Sequence, residues 1–186
     1  MGAKVMRWYI LSTGWDADGN NLYKCISATD ADKDKYIEWL IDHQKGRVFT
    51  KKSFGEMHFQ WEPLDPANMP IADFPSGGGP GGIFSRKAVN ALIQWLDNAG
   101  DLHSLIMDEK DQYFLFDCWV YISIISMENG SITINAGTAL PDLFRDSARP
   151  GLFVNESFKQ SAESAGLTGM VFSPVDVVRI SRSDIE

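Results

Sequence analysis

Gly151-Leu-Phe-Val-Asn-Glu-Ser-Phe-Lys-Gln-Ser-Ala-Glu-Ser-Ala-Gly-Leu-Thr-Gly-Met-Val-Phe-Ser-Pro-Val175 decides how the chain is read. Leu152 to Val154 is a short apolar run, and the Asn155 side chain is suited to accept a hydrogen bond from a free amide of the next turn, so a helix begins there. Phe158, Ala162 and Ala165 fall on one face of it. Gly166 follows the last apolar position as a left-handed C-cap does, with Leu167 placed to fold back on the helix. Met170 to Phe172 resumes an extended chain that Pro174 interrupts, and Val175 to Ile180 is read as a last strand. The unit is strand, capped helix, tight turn, strand, and it contains no nucleophile paired with a base.

The same logic recurs upstream. Ile83-Phe84-Ser85 reads as a short strand with Ser85 as N-cap. The helix after it places Ala88, Val89, Leu92, Ile93 and Leu96 inward and closes near Gly100. Between the two units, Leu102 to Met107 and Gln112 to Phe116 are expected strands, separated by the polar turn Asp108-Glu109-Lys110-Asp111. Trp119 to Met127 faces Ser131 to Asn135 across Glu128-Asn129-Gly130, and Asn-Gly is a strong hairpin signal because both residues tolerate positive φ. That hairpin is expected to be the central sheet. Leu140 to Arg145 is expected to hold one helical turn.

Towards the N-terminus, Trp8 to Leu11 and Tyr23 to Ser27 read as strands joined across the turn Asp16 to Asn21, an opening hairpin. Thr29 is placed to cap a helix with Asp30 and Asp32 in its first turn, Tyr36, Ile37, Leu40 and Ile41 inward, and Gly46 at its end. Val48-Phe49 and His58 to Trp61 follow as short strands. Pro63, Pro66, Pro70, Pro75 and Pro80 then forbid a regular element, and Ser76 to Gly82 is nearly all glycine. This glycine run lacks the Lys and Ser or Thr that a nucleotide loop needs, since Ile83-Phe84 follow, so positions 62 to 82 read as a mobile linker. The expectation is one α+β domain with a mixed or mainly antiparallel sheet and several short helices. It comprises an N-terminal strand-helix lobe (1–61), a linker loop (62–82) and a C-terminal lobe (83–186).

Seventeen basic against twenty-five acidic residues give a net charge of −8, which disfavours a phosphate-tracking surface and suits a basic partner, while serving solubility as well. No nucleic acid partner is expected. Cys25 and Cys118 sit among apolar residues, the habitat of reduced, buried thiols. The first twelve residues hold no signal-length apolar run, and Cys118 to Ile125 is far short of the ~20 residues that span a bilayer, so a cytoplasmic protein without membrane contact is expected.

Candidate chemistry is sparse. His43, His58 and His103 lie on three different elements with no metal-binding spacing, so no metal or other cofactor is expected. Carboxylates at Asp30, Asp32 and Asp34 and at Asp108, Glu109 and Asp111 sit where charges are commonly solvated or capping. Ser85 lacks the elbow sequence of a hydrolase nucleophile. Trp8, Trp15, Trp39, Trp61, Trp95 and Trp119 suit a core better than a sugar-stacking platform. No catalytic residue is assigned.

Three pieces, Met69-Pro-Ile-Ala-Asp-Phe74, Ile83-Phe-Ser-Arg-Lys-Ala-Val-Asn-Ala-Leu92 and Leu152 to Pro174 with its Ala-Gly-Leu-x-Gly-x-x-Phe-x-Pro ending, resemble immunity proteins of bacterial polymorphic-toxin systems. The group is large and was long catalogued as a domain of unknown function. The resemblance spans roughly Gln60 to Val175, though the glycine-rich loop departs from the group's shorter connection. It implies a cytoplasmic binder that neutralises a cognate toxin domain, with no catalytic residues to carry over. Together with the acidity, it leads us to expect a basic toxin domain to meet Trp15, Asp16 and Asp18 of one turn and Asp108, Glu109 and Asp111 of another. The alternatives are a small hydrolase or transferase with a titratable pair such as His58 or His103 beside a carboxylate, and a tryptophan-based ligand-binding module.

Overall fold

The computed structural model describes residues 7–15, 18–44, 56–63, 65–77, 79, 81–107, 112–123, 125–128, 131–135, 140–146 and 151–178. The fold is α+β, built from mostly antiparallel sheets, one of them mixed. The expected strand at Val48-Phe49, the helix end at Gly46 and the residues beyond Val178 lie outside the described set.

The largest sheet takes seven strands in the order β7-β10-β11-β1-β12-β9-β8. These are β1 (Trp8–Thr13), β7 (Tyr121–Ile122), β8 (Ile125–Glu128), β9 (Ser131–Asn135), β10 (Leu143–Asp146), β11 (Leu152–Asn155) and β12 (Met170–Val178). Strand β1 lies between β11 and β12, pairing Ile10 with Phe153 on one side and with Ser173 on the other, both antiparallel. The expected N-terminal hairpin therefore does not form. Trp15 and Asn21 bridge the turn, but β2 (Ile26–Ala28) leaves for a separate two-stranded sheet with β3 (Phe59–Trp61). Strand β12 also runs unbroken through Pro174. Its pairing with β9 begins only at Asp176, past the residue that has no N–H to give. Leu143 and Phe144 form a strand in place of the expected helical turn, because β11 pairs with both and buries them on opposite faces.

The expected hairpin forms as β8 and β9, with Glu128, expected in the turn, pairing with Ser131, but it ends the strand order and is not at its centre. Its position forces a curvature on the whole sheet. Strands β7 and β8 are the two outermost strands, yet only positions 123 and 124 separate them in sequence. Laid flat, the outermost of seven strands would stand roughly 29 Å apart at ~4.8 Å per spacing. The three Cα steps from Ile122 to Ile125 cover at most about 11 Å. The two ends of the strand order are accordingly drawn together, and the sheet is strongly curved. A side chain fastens the seam: the Ile125 amide of β8 donates to Asp146 Oδ2 of β10 at 3.0 Å.

The alternation of β-strands sorts residues into two cores across this sheet. Trp8, Ile10, Ile134, Phe144, Phe153 and Val175 pack together on one face, with no helix residue among them. Phe144 and Phe153 stack there with ring centroids 5.1 Å apart, and Trp8 tilts against Phe144 at 5.5 Å. Tyr9, Leu11, Leu143, Leu152 and Val154 point outward into a second core shared with two helices, α2 (Arg86–Leu96) and α3 (Glu156–Ser164).

That second core is closed by a three-stranded sheet, β4 (Ile83–Ser85), β6 (Tyr113–Cys118) and β5 (Gly100–Ser104), in the order β4-β6-β5. Phe84, Phe114 and Phe116 face α2 and α3, whereas Ile83, Tyr113 and Leu115 face a third core with Ile26, Phe59 and helix α1 (Lys33–Gln44). Every residue of β6 is buried. Two covered faces explain why its sequence is apolar from Tyr113 to Phe116, without the alternation of a one-sided strand, although Asp117 is buried there too.

Helix α1 starts three residues later than the Thr29 cap would have it, after a turn in which the Asp32 amide donates to Thr29 O. Its inner face is Tyr36, Trp39 and Leu40, while Ile37 and Ile41 are exposed. In α2, Trp95 is buried where Ile93 was expected, and Ile93 is exposed. Among the described residues, no helix is long and apolar enough to cross a membrane.

Helix α3 forms as its sequence dictates. Asn155 Oδ1 accepts from the Phe158 amide at 2.9 Å, and Asn155 Nδ2 donates to Asp142 Oδ1 at 2.7 Å. Gly166 turns left-handed at φ 58°, so that its amide reaches Glu163 O and the Leu167 amide reaches Ala162 O, the paired bonds of a Schellman ending. Asn155→Ala removes the cap and the cross-link to Asp142 together. It is expected to cost about 1.5 kcal/mol, measured as a shift of the urea midpoint at unchanged slope.

Candidate functional site

A cleft of about 960 Å³ opens between the start of the chain, β2, α1 and the glycine-rich loop. Its floor comes from Ile10, Leu11, Tyr36, Phe74 and Leu152, which belong to all three cores. Its mouth carries Trp15, 55% exposed, and Ile37, 42% exposed. Asp30, Glu62 and Lys33 supply its charged side chains.

The loop read as a mobile linker is instead a wall of this cleft. It is free of helix and named strands in its described part, as its prolines require, yet it is bonded throughout. Ser76 O accepts from the Ile26 amide at 2.9 Å, Pro70 O accepts from the Lys24 amide at 2.9 Å, and Tyr36 Oη donates to Gly77 O. A Cβ at Gly77, where φ is 110°, would stand 1.9 Å from Ile26 O, so only glycine lets the loop lie this close to β2. Burial pushes the Tyr36 hydroxyl pKa upward, which keeps it a neutral donor to that carbonyl.

Cys25 sits in the wall within a polar relay. Ser76 Oγ donates to Asn21 Oδ1 at 2.9 Å, Asn21 Nδ2 donates to Cys25 Sγ at 2.8 Å, and the Cys25 amide donates to Asp65 Oδ2 at 2.6 Å. Burial first, then the negative charge of Asp65, holds the thiol above its ordinary pKa. This is the opposite of an activated nucleophile. Cys118, in the core, is pushed up to about 12 by burial.

The structure does bring one histidine to a carboxylate. Asp32 is buried, and its Oδ2 accepts from the His58 amide at 2.9 Å and lies 3.0 Å from His58 Nδ1, while Lys35 Nζ donates to Oδ1 at 2.8 Å. The Lys35 and His58 hydrogen bonds hold the Asp32 carboxyl far below the usual range. The pair staples the start of α1 to β3, and neither residue lines the cleft. His103 is buried on β5, and the side chain of His43 lies outside the described residues. Trp8, Trp39 and Trp95 are core residues and Trp61 is half-buried against the core, leaving Trp15 and Trp119 as the exposed indoles.

The three sequence pieces that carry the family resemblance meet at Asp73. Its Oδ1 accepts from Ser85 Oγ at 2.7 Å, and its Oδ2 accepts from the Thr168 amide at 3.0 Å and Thr168 Oγ1 at 3.1 Å. Ser85 Oγ in turn caps α2 by accepting from the Ala88 amide at 3.1 Å, and Lys87 Nζ donates to Gly166 O at 2.8 Å. One carboxylate thus ties the loop, the α2 cap and the turn after α3. Burial alone would raise its pKa, but the Ser85 and Thr168 bonds and the Lys87 charge together hold it below the ordinary value. The role is structural, since every polar partner is a capping or turn group.

Of the residues expected at a toxin-binding surface, Trp15 lies at the cleft mouth and Asp18 is exposed nearby in sequence, whereas Asp16, Asp108, Glu109 and Asp111 fall outside the described residues. Ile37, Asp30 and Glu62 were missed. The exposed partner of Ile37 four residues on, Ile41, was the available signal, had the α1 stripe been centred on Trp39 instead. Among the described residues, no group of three or more His, Cys, Asp or Glu is placed to hold a metal ion. In comparisons with known proteins, no family model and no curated protein matches the chain.

Proposed function

We propose that the chain is a cytoplasmic immunity protein that neutralises a cognate bacterial toxin domain by covering it, with the mouth of the cleft at the centre of the contact. The observation that carries this reading is the pairing of exposed Trp15 and Ile37 over an apolar cleft on an acidic protein. Exposed aromatic anchors beside a pocket are what tight protein interfaces are built around, and net negative charge speeds capture of a basic partner. The Asp73 junction supports it indirectly: the residues of the family resemblance make a scaffold there, which leaves the surface free to vary with the toxin.

The test is co-expression. The C-terminal domain encoded by the adjoining upstream gene should kill cells on its own and spare those that also express this chain. Absence of killing, or killing despite abundant folded chain, removes the proposal. Within such a pair, Trp15→Ala is expected to weaken the complex about 30-fold by calorimetry. The same change should alter folding stability by no more than about 0.5 kcal/mol, because the indole is exposed.

A second reading, a small hydrolase or transferase, has the Asp32 and His58 pair in its favour. A turnover screen of the purified protein and its His58→Ala variant separates the two, since an activity lost with the imidazole makes the chain an enzyme.

A further inference from the structure

The charges about the cleft are unevenly distributed. Asp30 and Glu62 line it, and Asp65 stands directly behind its wall, holding the Cys25 amide at 2.6 Å. Lys33 is the one cationic side chain among the described lining residues. The negative field is felt at the wall itself, where, after burial, the charges of Asp65 and Glu62 act to keep the Cys25 thiol protonated.

The apolar content is also directional. Tyr36, Leu40 and Phe74 supply an apolar floor, and the exposed Trp15 and Ile37 stand at the entrance. Ile41, one turn beyond Ile37 on α1 and 45% exposed, extends the apolar lip along the helix. A flat contact would bury the lip and leave the floor empty, which loses the dispersion energy of a filled pocket.

We propose that the cleft receives a protruding protein segment with a bulky apolar side chain at its tip and lysine or arginine on both flanks. The tip enters between Trp15 and Ile37 to reach Tyr36 and Phe74, and the flanking cations settle on Asp30 and Glu62. The inference rests on the occlusion reading for the identity of its partner, and it specifies how that partner is gripped.

Fluorescein-labelled dodecapeptides test it without a toxin in hand. One carries a central Leu-Phe-Leu between paired lysines, a second has the lysines replaced by glutamates, and a third has the central three residues replaced by serines. The full chain should bind the first at least about tenfold more tightly than the other two, with affinity falling as salt rises from about 50 to 500 mM. Ile37→Asp and Trp15→Ala should each abolish that preference, Glu62→Lys should weaken binding and flatten its salt dependence, and Ile93→Asp, on the exposed side of α2 and outside the cleft lining, should change nothing. Failure of all three peptides to bind, equal affinity for the glutamate version, or equal loss in Ile93→Asp overturns the proposal. If the co-expressed chain still protects cells when the peptides fail, the grip is wrong and the immunity reading stands. If the peptides bind but no protection is found, the cleft serves some other basic protein.

Discussion

Phe153→Ala is expected to cost about 4 kcal/mol and to lower the melting temperature by roughly 12 °C, the largest effect of any single change considered. The ring has no exposed surface, stacks on Phe144 at 5.1 Å, and sits in a core built mainly from the strands of the large sheet. Strands joined by hydrogen bonds cannot close on a vacated site as two helices can slide together, so most of the hole persists and its lining loses contacts. Phe144→Ala should be nearly as damaging. The double variant should fall short of the sum by about 1 kcal/mol, because each single change already forfeits the ring pair. Val171→Ala, on an exposed position of the same sheet, is the control and should stay within about 0.5 kcal/mol. A cost below about 1 kcal/mol for Phe153→Ala, read from urea unfolding, would mean that the sheet does not cover a packed interior.

Asp73→Ala is expected to cost about 3 kcal/mol, since hydrogen bonds to a charged acceptor from Ser85 Oγ, the Thr168 amide and the Thr168 hydroxyl are lost together. The lysine contributes little, because Lys87 is largely exposed and 3.4 Å away. Asp73→Asn keeps the shape and one acceptor and should cost about half as much. The sign of the pH effect follows from the lowered carboxyl pKa. In the unfolded chain Asp73 binds a proton near pH 4, and in the folded chain only at lower pH, so its contribution is full above about pH 4 and drains away as pH falls further. Wild-type stability should therefore decline more steeply below pH 4 than that of Asp73→Asn. Parallel acid profiles for the two proteins would show that the carboxylate is not stabilised by its neighbours.

Local chemistry was legible in the sequence wherever a residue and its partner lie within a turn or two. Asn155 and Ser85 announced their helices, Gly166 announced its left-handed turn, and Asn129-Gly130 announced the β8–β9 hairpin. The errors came where distant segments decide. The apolar run Trp8 to Leu11 suggested a strand but gave no sign that its partners lie more than 140 residues away at Phe153 and Ser173. Ile37 and Trp39 are both apolar on a helix whose polar face is weakly marked, and only the position of β2 and β3 settles which of them turns inward. Prolines and glycines at 62 to 82 excluded regular structure correctly, but composition does not reveal that Gly77 lies flat against Ile26 or that Asp73 reaches Thr168 across ninety-five residues. The cleft was illegible for the same reason, being assembled from the ends of five separate segments.

The seam between Ile125 and Asp146 carries one more implication. A β-sheet that ends in open strands offers a selvedge on which a foreign chain can be woven, and proteins meet others, or form fibres, along such borders. Here the Ile125 amide of one border already donates to Asp146, on the strand beside the other border, so that point of the border is occupied. A foreign chain would have to displace the Asp146 carboxylate before it could extend the weave at Ile125.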